Sequence, residues 1–298
     1  MWRVVTASTW TAPQTRKNDR LYRLARVGVG FARWAPSWSL RWLGRLVGAF
    51  AYVLAWRARR VALANVARAL GLRGLAARLH VARTFVTLGA MLGDTAKLLD
   101  PRVRASTRLP LPAAALTTLR EALAEGRGVV LVTAHHGLWE HLAAALVEEG
   151  FALTTPVRRS YDPRLERLVH AKVRDERGVR TLDRDDPRAG IALLRALRAD
   201  GVAGFLVDLN VRGAVVSAPF LGTPAWTTNA PARLARASGA PIVVACAAPG
   251  AVRIQRLPCD GRDVEATTAA INDAVSANVL AAPHHWIWMH ERFGPRRA

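Results

Sequence analysis

Apolar positions along this chain fall into two regimes. Through the first hundred residues they recur every three or four positions among arginines. Beyond Pro112 they also gather into short unbroken runs separated by helical stretches. Pro36 opens the clearest segment of the first kind, because a proline at the start of a helix lacks only an N–H that would have had no partner. From there Trp38, Trp42, Leu46, Ala49, Val53 and Trp56 follow helical spacing along one face. Arg41 and Arg45 interrupt the segment, and Arg57, Arg59 and Arg60 close it. Periodicity alone fits two placements equally: a helix docked on the protein's own core, or one lying at a membrane interface with indoles at headgroup level. Residues 61–99 also read as helix, rich in alanine, leucine and arginine and free of proline.

Pro101, Pro110 and Pro112 punctuate a loop, and a strand–helix alternation follows it. Helices are predicted over 116–124, 138–149, 163–176, 191–200, 230–237 and 267–280. Strands are predicted over 128–133, 152–157, 202–207, 241–246 and 252–257, and residues 210–228 are turn-rich. This order predicts an α/β fold with a mainly parallel sheet flanked by helices. An N-terminal helical segment, residues 1–60, is set apart from the α/β domain, residues 61–298.

Composition sharpens the picture at three points. The 298 residues are 51% hydrophobic and 22% charged, with mean hydropathy +0.10, which excludes a disordered chain. Lysine plus arginine number 43 against 22 acids, a formal charge of +21 that points to an acidic partner. Trp2, Trp10, Trp34, Trp38, Trp42 and Trp56 all lie near the N-terminus, and with the charge they favour a membrane-associated segment. The longest apolar run, Leu46 to Trp56, would be about 17 Å long as a helix. A bilayer core is about 30 Å thick, so the run does not span one alone, although a tilted span with snorkelling arginines stays open. No secretory signal is apparent. Two cysteines, Cys246 and Cys259, are too few for a disulfide framework or a zinc site and suit a reducing compartment.

Chemistry concentrates in Gly128–Leu142, GVVLVTAHHGLWEHL, where a buried strand ends, two histidines and a glycine follow, and a helix begins. Reactive side chains of open α/β sheets collect at the carboxyl ends of strands. A histidine there, with an unperturbed pKa of about 6.5, suits general-base work. Glu140 is the one acid near enough in sequence to accept the other ring N–H. Spacing allows either partner: His136 if both residues are helical, or His135 if it sits on the strand-end loop. A helix-capping histidine pair without catalysis is the alternative. A zinc site would need a third ligand, and HExxH is absent. His141 reads as a surface or core residue, and no metal or cofactor is expected.

Five segments in order then resemble one family. AHHGLWE resembles the H-x4-D/E signature of bacterial lipid acyltransferases. RRSYDPRLERL is similar to their arginine followed by a proline turn and helix, and LRADGVAGFLVDLN to their strand ending in an acid. APFLGTPAWTTNAPARLARASGAPIVV and PHHWIWMHERF match the later segments, and RRVALANVARALG resembles an upstream asparagine-bearing helix. Together they cover about residues 30 to 295 and resemble the lipid A biosynthesis acyltransferases, the late lauroyl/myristoyl branch.

That resemblance implies a glycerol-3-phosphate acyltransferase-like fold at the cytoplasmic face of the inner membrane. It implies transfer of a fatty acyl group from acyl carrier protein, or acyl-CoA, to a hydroxyl of a phosphorylated lipid A precursor. Residue by residue, it places the catalytic histidine on His135 and its acidic partner on Glu140. The family's arginine falls on Arg158, with Arg159 a close second, and its strand-end acid on Asp208; these three and His136 are the candidate substrate-binding residues. Leu209, Asn210, Met289 and Glu291 depart from the family pattern and bear on the acceptor. Another glycolipid such as a phosphatidylinositol mannoside, or a lysophospholipid, is the alternative acceptor. An esterase lacks its G-x-S-x-G elbow. A nucleic-acid-binding protein would need an ordered basic face with an aromatic platform, whereas the aromatics gather in the N-terminal helix. Arg195–Arg198 and Arg233–Arg236 join Arg158–Arg159 as basic clusters open to an acidic carrier.

Overall fold

Small residues and a proline divide the helical third into four helices. The computed structural model describes residues 10–259 and 261–296, so Trp2 lies outside the described residues. Helix α1 spans Ala12–Trp34, α2 Ser37–Leu54, α3 Trp56–Leu70 and α4 Gly74–Ala96. Pro36 caps α2, the break at Ala55 separates α2 from α3, and Gly71 ends α3 at φ 67°, a left-handed conformation that glycine adopts without steric cost. The boundary expected at residue 60 therefore falls inside α3.

Helix α2 is docked by a different face from the tryptophan-bearing one. Its buried residues are Leu40, Gly44 and Gly48, and they meet Gly89 and Gly93 of α4. A Cβ on Gly44 would stand 2.1 Å from the Gly89 carbonyl oxygen, and one on Gly93 2.1 Å from that of Leu40. Only glycine lets the two backbones approach so closely. Trp38, Trp42, Leu46, Phe50 and Val53 consequently point outward and stay exposed. Among the described residues no helix is long and apolar enough to cross a membrane.

The α/β part follows the predicted order closely. Helix α5 (Ala113–Leu123) leads into β1 (Val129–Thr133), α6 (Trp139–Glu148) and β2 (Leu153–Val157). Next come the short turns α7 (Pro163–Leu165) and α8 (Ala171–Val173), then β3 (Arg180–Asp183), α9 (Ala189–Arg198) and β4 (Val202–Leu206). A hairpin, β5 (Val215–Phe220) and β6 (Thr223–Thr228), precedes α10 (Ala230–Ser238), β7 (Ile242–Ala248), β8 (Ala251–Arg256) and α11 (Val264–Ala281). The six-stranded sheet runs β3-β2-β4-β1-β7-β8, parallel except for the β7–β8 pair. Leu119, Leu142 and Leu146 of α5 and α6 cover one face over Val129, Leu131 and Val243. Leu197, Leu234 and Val275 of α9, α10 and α11 cover the other over Val130, Val132 and Val244.

Three stretches differ from expectation, one of them β3, which pairs with β2 where no strand was predicted. The helix predicted over 163–176 starts at its Asp162 cap but is broken: a π-helical turn joins α7 to α8, and Arg174 leaves helical geometry. The turn-rich stretch 210–228 contains the β5–β6 hairpin, closed at Leu221–Gly222 with φ of 50° and 73°. Positive φ at both central residues is the hairpin turn whose twist matches its strands.

Candidate active site

The register of β1 against β4 builds the site. Thr133 pairs with Leu206 across the two parallel strands, and Val207 donates its N–H to the Thr133 carbonyl. Two residues past the end of each strand, His135 and Asp208 are brought together. Asp208 is fully buried and accepts three hydrogen bonds. His135 Nδ1 lies 2.9 Å from Oδ1, while Oδ2 takes the His135 amide at 2.9 Å and the Trp286 indole N–H at 2.8 Å. Burial alone would raise this carboxyl. The facing His135, the Trp286 N–H and the His135 amide outweigh it and hold the pKa down to about 2. An ionised Asp208 fixes the proton on Nδ1 and leaves Nε2 as the basic nitrogen. The His135 side chain is 25% exposed, so Nε2 is open to a substrate.

Glu140 is elsewhere. It stands in the first turn of α6 and is gripped by Arg174, whose Nε lies 3.0 Å from Oε2 and whose Nη2 also reaches Oε1. The pairing of Glu140 with His135 or His136 is thus replaced by two separate pairs, His135–Asp208 and Glu140–Arg174. Sequence spacing singled out Glu140 because it is near in the chain. The partner found lies 73 residues away and is brought in by strand register.

His136 faces the interior at 2% exposure. Its Nε2 is 2.9 Å from the Ala282 carbonyl oxygen, which only accepts, so that nitrogen carries the hydrogen; Nδ1 is 3.6 Å from Cys246 Sγ. Burial lowers its pKa to about 4, so it is neutral with both nitrogens engaged. Gly137 then turns the chain at φ 67°, and a Cβ there would meet the Ala247 carbonyl oxygen at 2.2 Å. Its N–H donates to the His285 carbonyl, and that of Leu138 to Ala247. Arg159 is engaged by Glu166 and the Thr181 carbonyl. Arg158, just past the end of β2, is exposed and forms no ion pair among the described residues.

A narrow apolar slot opens between α6 and the sheet, with Trp139 standing between it and His135. Leu131, Leu142, Leu146, Leu153 and Gly204 line it, with Trp139 and the Glu140–Arg174 pair among its walls. The Trp139 ring stands edge-on to His135 at 5.2 Å. The C-terminal segment closes the other side: Trp286 and Trp288 are fully buried, and Asn65 of α3 donates to the Trp288 and His290 carbonyls. Trp286, the third group on Asp208, has no local signal in the sequence, because its indole N–H reaches the carboxylate only through the folding of the terminal segment back over the strand ends. Among the described residues no His, Cys, Asp and Glu cluster could hold a metal.

A carboxylate-held histidine with a free Nε2, set at the carboxyl ends of parallel strands near an apolar slot, suits an α/β enzyme that activates a hydroxyl near an aliphatic chain. The sequence matches the family model of the bacterial lipid A biosynthesis acyltransferases over residues 22–294, and the chain belongs to that family. It is an acyltransferase accordingly. No curated protein sequence matches it significantly.

Proposed function

We propose that the protein transfers a fatty acyl group from a thioester, on acyl carrier protein or CoA, to a hydroxyl of a phosphorylated glycolipid of the lipid A precursor type. His135 acts as the general base and Asp208 as its positioning partner. The acceptor hydroxyl gives its proton to His135 Nε2 as its oxygen attacks the thioester carbonyl carbon. The C–S bond then breaks, and the leaving thiolate recovers the proton from the imidazolium. The first step leaves His135 as the imidazolium and the second returns it to its neutral form, so no acyl-enzyme is needed. The apolar slot seats the start of the acyl chain, and exposed Arg158 is our candidate to stabilise the developing oxyanion. The outward tryptophan face of α2 holds the enzyme at the cytoplasmic face of the inner membrane, where the acceptor resides.

The observation that carries this reading is the buried Asp208 clamped on His135 Nδ1. The test supplies labelled acyl thioester with a lipid A precursor and, in parallel, a phosphatidylinositol mannoside. His135→Ala should abolish transfer. Asp208→Asn should lower turnover by roughly 10³–10⁴-fold, as loss of the imidazole's orienting carboxylate does elsewhere. Glu140→Gln, which loosens only the Arg174 pair, should stay within about tenfold of wild type. A folded Asp208→Asn protein with full activity beside an inert Glu140→Gln protein would return the pairing to Glu140.

A further inference from the structure

A second cavity, of about 400 Å³, lies between α2, α4 and the C-terminal segment. Arg41, Arg45, Arg83, Asp94, His284 and His285 supply its polar wall. Three guanidiniums therefore face one carboxylate, and that carboxylate is already engaged. Asp94, 4% exposed, takes Arg41 at 3.1 Å and Arg108 at 3.0 Å. Arg45 lies over the Trp42 ring at 4.7 Å, and neither it nor Arg83 forms an ion pair among the described residues. Two guanidiniums without an ion pair, those of Arg45 and Arg83, beside an open volume whose one carboxylate is already engaged leave room for an anion.

We propose that this cavity binds the phosphate group of a phosphorylated lipid headgroup, with Arg45 and Arg83 as its principal ligands. The lipid source follows from the cavity's wall. Arg41 and Arg45 project from the same helix whose outer face carries Trp38, Trp42 and Leu46, all exposed. A lipid lying along that apolar stripe can turn its phosphate inward between the arginines. The cavity also adjoins the catalytic turn: the Gly137 N–H donates to the His285 carbonyl at 3.0 Å, two residues from His135. Identifying the bound lipid with the acyl acceptor rests on the acyl-transfer reading; phosphate binding itself does not.

Calorimetry of the full chain in neutral detergent tests this with short-chain phosphatidic acid, the matching diacylglycerol and inorganic phosphate. Wild type should bind phosphatidic acid at least about tenfold more tightly than either other probe, since charge-assisted bonds and apolar contact act together. Arg45→Gln/Arg83→Gln should lose about tenfold or more, Arg45→Lys/Arg83→Lys should recover part of it, and His135→Ala should bind as wild type. Arg233→Gln/Arg236→Gln, on exposed positions of α10, removes the same charge elsewhere and should change little. Equal binding by the two glutamine pairs would overturn the site. Inorganic phosphate binding as tightly as the lipid would overturn the headgroup assignment. A chain inert in acyl transfer that still shows the Arg45/Arg83 dependence would sink the acyl-transfer reading and leave the phosphate site standing.

Discussion

His136 and His141 sit five residues apart and share an environment that their sequence neighbourhood conceals. Both are at most 2% exposed, and burial lowers each to a pKa of about 4. An unfolded chain protonates these rings near pH 6.5, whereas the folded one does so only near 4. Between those values the unfolded state binds more protons, so stability falls as pH drops through the window. Asp94, raised by burial to about 6, works the other way between pH 6 and 4 and offsets part of the loss. Urea midpoints should therefore decline from pH 7 to pH 4.5, by a few kcal/mol in unfolding free energy. A flat profile would show that neither ring is buried neutral. The residues of the site were legible to very different degrees. His135 was readable because a strand-end histidine before a glycine is a local pattern. Asp208 was visible only as an acid closing another strand, because its approach to His135 is a property of pairing between distant segments. The Glu140–Arg174 pair was hidden too, since Arg174 reaches α6 only where its own helix breaks.

At the scale of elements, α2 shows what periodicity reports and what it leaves out. The three- and four-residue recurrence of tryptophan and leucine marked a helix correctly, yet the docked face is the glycine one. Hydrophobic patterning registers large side chains, whereas this crossing is built from their absence. Gly89→Ala should cost roughly 1–3 kcal/mol, because its Cβ would stand 2.1 Å from the Gly44 carbonyl oxygen and backbone cannot yield cheaply. Gly28→Ala on α1, where nothing lies within 4 Å, should be neutral or stabilise by about 0.5–1 kcal/mol. Thermal unfolding of both variants checks the contrast, and equal effects would show that α2 and α4 do not cross so closely. The hairpin β5–β6 was concealed for a related reason. Pro219 and Pro224 face each other across it, and prolines read as loop in a sequence although a two-stranded ribbon tolerates them at an edge. Strand β3, RTLD, is short, polar and marginal, with only the β2 pairing to define it.

For the molecule as a whole, charge and apolar surface have to be weighed together. A formal +21 on its own fits any polyanion and would steer an acidic carrier protein as readily as a bilayer. The exposed Trp38, Trp42, Leu46, Phe50 and Val53 on one helix add an apolar surface that charge alone does not account for, and they support the proposed attachment to a bilayer. If α2 lies in a membrane interface, attachment needs both contributions. Binding to vesicles containing phosphatidylglycerol should weaken as salt rises from about 50 to 300 mM, because exposed charges are screened over a Debye length of about 8–10 Å near 0.1 M. Trp38→Ser/Phe50→Ser should weaken binding to the same vesicles at every salt concentration. Its Tm should hardly change, because both side chains already face outward and leave no cavity in the glycine-lined crossing. Co-sedimentation and unfolding on the same preparations give the answer. Loss of vesicle binding at an unchanged Tm would establish α2 as the attachment surface. Full binding by the double variant would leave attachment to charge alone and return α2's outer face to some other partner.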